Sequence, residues 1–290
     1  MVTQQTAITK YVVADGINFA YRRFGHEGSV PLVFLQHFRG TMDHWDPALI
    51  NPLAETRTII LIDNSGVGKS SGTVPDNFAA WAANIIAVLG ALDIKEVDLL
   101  GFSMGGMAAQ IVALNSPKGL VRRLILAGTG PSAGEGVQAG PEWAIQALAG
   151  ANNNEEEEAA FIKTFYTESP EKIALGKEWW KRINERTEDR SDYVGPEGLK
   201  QQLKAAIAWG TPGVKGGSFE RLHELNRIPV FIANGDNDVL VPTENSILMW
   251  RKIKSSHLHI YPDVGHGFLN EYTEMFAEHV RLFLDGEKVM

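Results

Sequence analysis

Short apolar runs recur through the chain: Leu32–Leu35, Ile59–Ile62, Val97–Leu100 (interrupted once, by Asp98) and Leu124–Ala127. Runs of four or so apolar residues between turn-rich segments read as strands buried on both faces, the pattern of a parallel sheet covered by helices. Residues 78–92 and 105–115 lie between them with helical periodicity. Ahead of them, Tyr11–Val13 and Ile17–Tyr21 flank Asp15-Gly16, which predicts an N-terminal hairpin. After Gly128-Thr129-Gly130-Pro131 the strand rhythm stops. Residues 131–222 predict no strand, but helices near 155–166, 171–186 and 196–209, the first entered through Asn152–Asn154 and the acidic run Glu155–Glu158. The rhythm returns with Pro229–Ala233, Leu258–Tyr261 and a final helix over about 271–284.

This alternation predicts an α/β fold: a doubly wound, mostly parallel sheet of eight strands. The core would span residues 1–130 and 223–290, with a helical insertion over 131–222. A chain of 290 residues is long enough for one large domain of this kind.

Composition narrows the chemistry by exclusion. The net charge of −8 disfavours nucleic-acid or anionic-membrane partners, which need a basic patch. With no cysteine, disulfides, thiolate metal sites and cysteine nucleophiles drop out. The apolar runs are strand-length, so no membrane span is expected, and no leader pattern is visible at the first residues, so the expected location is cytoplasmic. A small-molecule substrate is the expected partner, and homo-oligomerisation is left open.

Candidate chemistry centres on Gly101-Phe102-Ser103-Met104-Gly105, placed between the strand 97–100 and the helix that follows. A serine on a sharp strand-to-helix turn is exposed at the sheet edge, and the glycines let strand and helix pass closely. The pentapeptide is not specific: Gly68-Lys69-Ser70-Ser71-Gly72 matches it too. That copy runs into Thr73-Val74-Pro75-Asp76 rather than a helix, so context selects Ser103.

A serine nucleophile needs a base of suitable pKa and a carboxylate to orient it. Asp236 and Asp238 follow the strand at 229–233, and Gly265-His266-Gly267 follows the strand at 258–261. All of these fall at strand carboxyl ends, the edge where open α/β sheets bind ligands.

In these residues and their order the chain resembles the α/β-hydrolase superfamily over nearly all of its length outside the insertion, its Gly-Phe-Ser-Met-Gly-Gly being similar to the turns of enol-lactonases and cofactor-free haloperoxidases. The resemblance implies Ser103 as nucleophile, His266 as base and Asp238 as acid. Asp238 is preferred to Asp236 because Pro242 stands four residues beyond it. It also implies an oxyanion hole from the backbone N–H groups of Met104 and Phe38. The family usually carries glycine after the histidine of this loop; here His37-Phe38-Arg39-Gly40 stands instead. Phe38 adds apolar bulk and Arg39 is a candidate for a polar substrate group, or else points to solvent.

The insertion would form a cap whose aromatics, with Trp143 and Trp209 as the named candidates, line an apolar cavity, while most of the others pack cap to core. The implied activity is hydrolysis of an ester, lactone or similar acyl bond of a small to medium apolar substrate, without cofactor or metal. Perhydrolase chemistry, carbon–carbon bond hydrolysis and a non-catalytic receptor on the same fold are the alternatives. His37 reads as a loop hydrogen-bonder, and the other histidines as structural or surface residues. Asp63–Ser70 ends like a phosphate-binding loop, but Asp63 occupies the place of its first glycine and no helix follows. Asp63 therefore reads as a structural carboxylate.

Overall fold

The computed structural model describes residues 2–286. Its core is an eight-stranded sheet of order β1-β2-β4-β3-β5-β6-β7-β8. β1 (Lys10–Ala14) and β2 (Ile17–Gly25) form the antiparallel hairpin, turned at Asp15 and Gly16 with φ of 47° and 78°. Two successive positive φ values are what a tight two-residue hairpin turn requires. β2 is also antiparallel to β4 (Thr58–Ile62). The remaining strands, β3 (Leu32–Leu35), β5 (Val97–Phe102), β6 (Val121–Ala127), β7 (Val230–Gly235) and β8 (Ser256–Tyr261), run parallel with β4. β3, β4, β5 and β7 are buried at every residue, because helices cover both faces of the sheet.

α2 (Phe78–Ala91) packs against α3 (Met104–Asn115), while α1 (Pro47–Ala54) packs against α10 (Thr273–Asp285). α8 (Thr243–Lys252) joins β7 to β8, and the single turn α9 (Phe268–Glu271) follows β8. Between β6 and β7 lie α4 (Glu142–Gly150), α5 (Asn154–Phe165), α6 (Pro170–Ile183) and α7 (Pro196–Trp209), with no strand among them. The hydrophobic–polar pattern does not predict α1, α4 or α8. Each has a local reason: α1 carries Pro47 and Pro52, α4 is nine residues entered through Gly140-Pro141 with only Ala144 and Leu148 buried, and α8 opens on Thr-Glu-Asn-Ser.

Register decides where the chemistry gathers. Leu35 pairs with Gly101, Phe102 with Ala127, Ala127 with Ala233, and Gly235 with Tyr261. The carboxyl ends of five neighbouring strands are therefore level, and the loops that leave them share one edge. No helix among the described residues is long and apolar enough to cross a membrane.

Candidate active site

Ser103 sits between β5 and α3 with φ 56° and ψ −120°. For a residue with a Cβ this is strained backbone, maintained only where the surroundings over-determine it. They do so here. A Cβ on Gly105 would overlap Leu35 O, and one on Gly106 would come within 2.6 Å of Thr129 Cβ. The Ser103 N–H donates to Ala127 O at 2.9 Å, and Thr129 Oγ1 donates to Ser103 O at 2.8 Å. The Ser103 hydroxyl makes no cap to α3, which leaves it directed to other chemistry.

His266 is fully buried, and its Nδ1–H donates to Asp238 Oδ2 at 2.6 Å. A carboxylate in that position fixes the imidazole tautomer with Nε2 unprotonated. His266 Nε2 makes no hydrogen bond among the described residues. The ring stacks on Phe102 at 4.9 Å and meets the edge of Phe165 at 5.1 Å. The other oxygen of Asp238 accepts from the N–H groups of Leu240 and Val241, both at 2.9 Å, so both oxygens of the carboxylate are satisfied.

Asp236 takes a different part. Its oxygens accept from the N–H groups of Asp263 and Val264 at 3.0 and 3.1 Å, tying the loop after β7 to the loop that carries His266. It makes no hydrogen bond to His266; besides bridging the two loops it accepts from Asn237 Nδ2 of its own loop at 2.7 Å.

Ser103, His266, Phe38 and Met104 line one cavity of about 210 Å³. The rest of its wall is mostly apolar: Met107, Ala144, Ile145, Leu148, Phe161, Phe165, Leu240 and Val241 among others. The Phe38 N–H enters no hydrogen bond among the described residues, and that of Met104, first residue of α3, falls outside the helical ladder. Two N–H groups thus stand free beside the serine.

His37 shares the cavity wall. Its Nδ1–H donates to Phe38 O at 2.8 Å, and burial pushes its pKa down to about 3, so the ring is neutral near pH 7. Asp63 is held apart from the site. Its oxygens accept from Met42 N at 2.7 Å and Lys69 N at 3.0 Å, while burial raises its pKa to about 7 against those bonds.

Three sequence expectations need correction. Arg39 neither points to solvent nor lines the cavity. It is 5% exposed, with its guanidinium donating to Leu148 O and Ala151 O at 2.9 Å each, to Glu157 Oε1 at 2.6 Å and to Val194 O at 3.3 Å. A buried guanidinium must satisfy its donors, and acceptors on the insertion do so. Trp143 is 41% exposed beneath Lys163 rather than in the cavity, because α4 turns Ala144, Ile145 and Leu148 inward. Trp209 is buried, but edge-on against Phe78 of α2, with ring centroids 5.0 Å apart. The residues of the insertion that do reach the cavity are mostly small or aliphatic, together with Phe161 and Phe165. Leu240 and Val241 are missed in the sequence, although their place beside Asp238 could have revealed them; Leu148 and Ala206 carry no signal.

Among the described residues no group of three or more His, Asp or Glu side chains is arranged to hold a metal.

Comparison with known proteins agrees with this architecture. Residues 30–271 match the family model described as the alpha/beta hydrolase fold. An alpha/beta hydrolase fold protein from Chitinophaga pinensis superposes with a TM-score of 0.85 at 33% identity, over 98% of this chain and 99% of that one. The chain is 26% identical over 270 residues to the dihydrolipoyllysine-residue acetyltransferase component of the acetoin cleaving system of Pseudomonas putida, covering 90% of this chain and 65% of that protein. It is also 26% identical over 263 residues to a non-heme haloperoxidase of Rhodococcus erythropolis, covering 88% and 91% of the two. With the level strand ends, the strained serine turn and the matched span of residues, the chain belongs to the alpha/beta hydrolase family of enzymes.

Proposed function

We propose that the protein is a serine hydrolase that cleaves an ester, lactone or related acyl bond through an acyl-enzyme. The observation that carries this reading is the convergence of strained Ser103 and the His266–Asp238 pair on one small apolar cavity. Ser103 Oγ attacks the carbonyl carbon as its proton passes to His266 Nε2, and Asp238 stabilises the imidazolium through Nδ1–H. The carbonyl oxygen, now an anion, is met by the N–H groups of Phe38 and Met104. Collapse expels the alcohol, which takes the proton from His266. Water, deprotonated by the same nitrogen, then hydrolyses the ester on Ser103.

Residues 131–222 act as the cap in this reading. They supply the ceiling of the cavity through α4, α5 and α7. About 210 Å³ is below the ~300–1,000 Å³ of common ligand sites, which favours a small acyl group beside Ser103, and a second cavity of about 550 Å³ borders it at Met107, Ala206, Leu240 and Val241.

A fluorophosphonate probe should label the wild type and not Ser103→Ala. Turnover of p-nitrophenyl acetate should fall by about 10³-fold or more in that variant. Equal turnover in the two proteins would overturn the assignment. Similarity to the haloperoxidase favours a second outcome for the acyl-enzyme, attack by hydrogen peroxide to release a peracid. Peroxide-dependent bromination in acetate buffer distinguishes that outcome from simple hydrolysis.

A further inference from the structure

The turn that carries Phe38 is closed within its own loop by Gly40 N–H donating to His37 O at 3.0 Å, and it is braced from outside by groups of the insertion. The peptide between Phe38 and Arg39 is held at both ends: its carbonyl accepts from His37 Nδ1 at 2.8 Å, and its N–H donates to Gln202 Oε1 of α7 at 2.8 Å. The next carbonyl, Arg39 O, accepts from Val194 N at 2.9 Å. The side chain then reaches the end of α4 at Leu148 and Ala151, and Glu157 on α5. Arg39 has φ 63°, the left-handed region that a residue with a Cβ enters at a cost. His37 supplies two bonds of the turn, to Phe38 O and from Gly40 N; every bond made by Arg39 itself ends on residues 148–202.

We propose that Arg39 is a positioning residue that couples the seating of the insertion to the placement of the Phe38 N–H beside Ser103. The inference rests on the serine-hydrolase reading. With the insertion docked, acceptors on three helices and one loop hold Arg39 in its left-handed conformation. Those bonds fix the peptide plane that adjoins Phe38. When they are lost, only two bonds local to the turn, Gly40 N–H to His37 O and His37 Nδ1 to Phe38 O, oppose relaxation of Arg39 to negative φ, which turns the Phe38–Arg39 peptide and, through Phe38, shifts the N–H beside Ser103. The oxyanion donor from Met104 is unaffected, because it belongs to α3.

The test compares Arg39→Met with Gln202→Leu, which removes only the acceptor for the Arg39 N–H, and with Gln202→Glu, which keeps one. For p-nitrophenyl acetate, kcat should fall roughly 10- to 100-fold in the first two, short of the complete loss of a donor, with KM within about twofold. Affinity for an alkyl trifluoromethyl ketone, which forms a tetrahedral adduct on Ser103, should fall in parallel with kcat/KM. Gln202→Glu should restore most of both. If thermal stability drops while kcat and ketone affinity stay at wild-type values well below the melting temperature, Arg39 is merely structural and the proposal is overturned. Should Arg39→Met fail to fold, Gln202→Leu decides alone. Failure of the underlying reading looks different: the wild type itself would then show no Ser103-dependent labelling.

Discussion

The two N–H groups beside Ser103 are held by opposite means. Met104 belongs to a turn fixed from within the core, where Gly105 and Gly106 leave no room between Leu35, Thr129 and the start of α3. Phe38 belongs to a turn that one backbone bond, Gly40 N–H to His37 O, closes locally and that hydrogen bonds crossing to residues 148–202 brace from outside the sheet. Steric fixation tolerates no added atom but needs no partner. Hydrogen-bond fixation tolerates substitution in bulk but fails when its partners move away. One side of the cavity is therefore as rigid as the sheet, and the other only as rigid as the docking of the insertion.

Substitution on the core side should give the largest response. Gly105→Ala places a Cβ against Leu35 O, and backbone cannot swing aside as a flexible side chain can. We expect a loss of about 3 kcal/mol, at the upper end for overpacking, and no detectable esterase activity. Denaturant unfolding measures the first and p-nitrophenyl acetate turnover the second. A stable, active Gly105→Ala would remove the distinction between the two sides.

Acid titration should set His37, on the Phe38 side, against Asp63, a core carboxylate outside the site, more gently. The His37 pKa is depressed in the fold, from 6.5 to about 3, so its contribution is complete above pH 6.5 and is lost as pH falls toward 3. The Asp63 pKa is raised, from 3.8 to about 7, so its contribution is complete below 3.8 and is lost as pH rises toward 7. At about 1.4 kcal/mol per pH unit for each group, the two slopes nearly cancel between pH 4 and 6.5. His37→Gln should therefore gain relative stability toward acid, and Asp63→Asn should lose it. Melting temperatures taken across this range check both signs, and parallel curves for the two variants would contradict the assignment.

The smallest effect belongs to the outer face of α4. Trp143→Ala removes a half-exposed ring that touches neither cavity nor core, so kcat/KM should stay within about twofold and stability within about 0.5 kcal/mol. A larger change in kcat/KM would return Trp143 to the substrate path.

How far the chain can be read without coordinates follows the same division. β3 to β7 were legible because strands buried on both faces carry nearly continuous apolar runs, broken at Asp98 of β5, the Arg122-Arg123 start of β6 and Asn234 of β7. The elbow and the loops of Asp238 and His266 were legible because they sit at fixed places after such strands. Arg39 was not. Its partners lie 109–163 residues away, and Leu148, Ala151 and Val194 bind it through backbone carbonyls, which leave no trace in residue type. Trp143 and Trp209 were misread for a related reason. Composition counts the aromatics of the insertion, but only the rotation of α4 and α7 decides which of their faces meets the cavity.

The cavity wall contains no Lys, Arg, Asp or Glu. A neutral ester meets no electrostatic barrier there. Its product acid is ionised near pH 7, and in that wall the carboxylate finds no fixed cation, its polar partners being the two N–H groups and His266. The lining therefore suits the neutral substrate better than the charged product, and that difference favours departure of the acid.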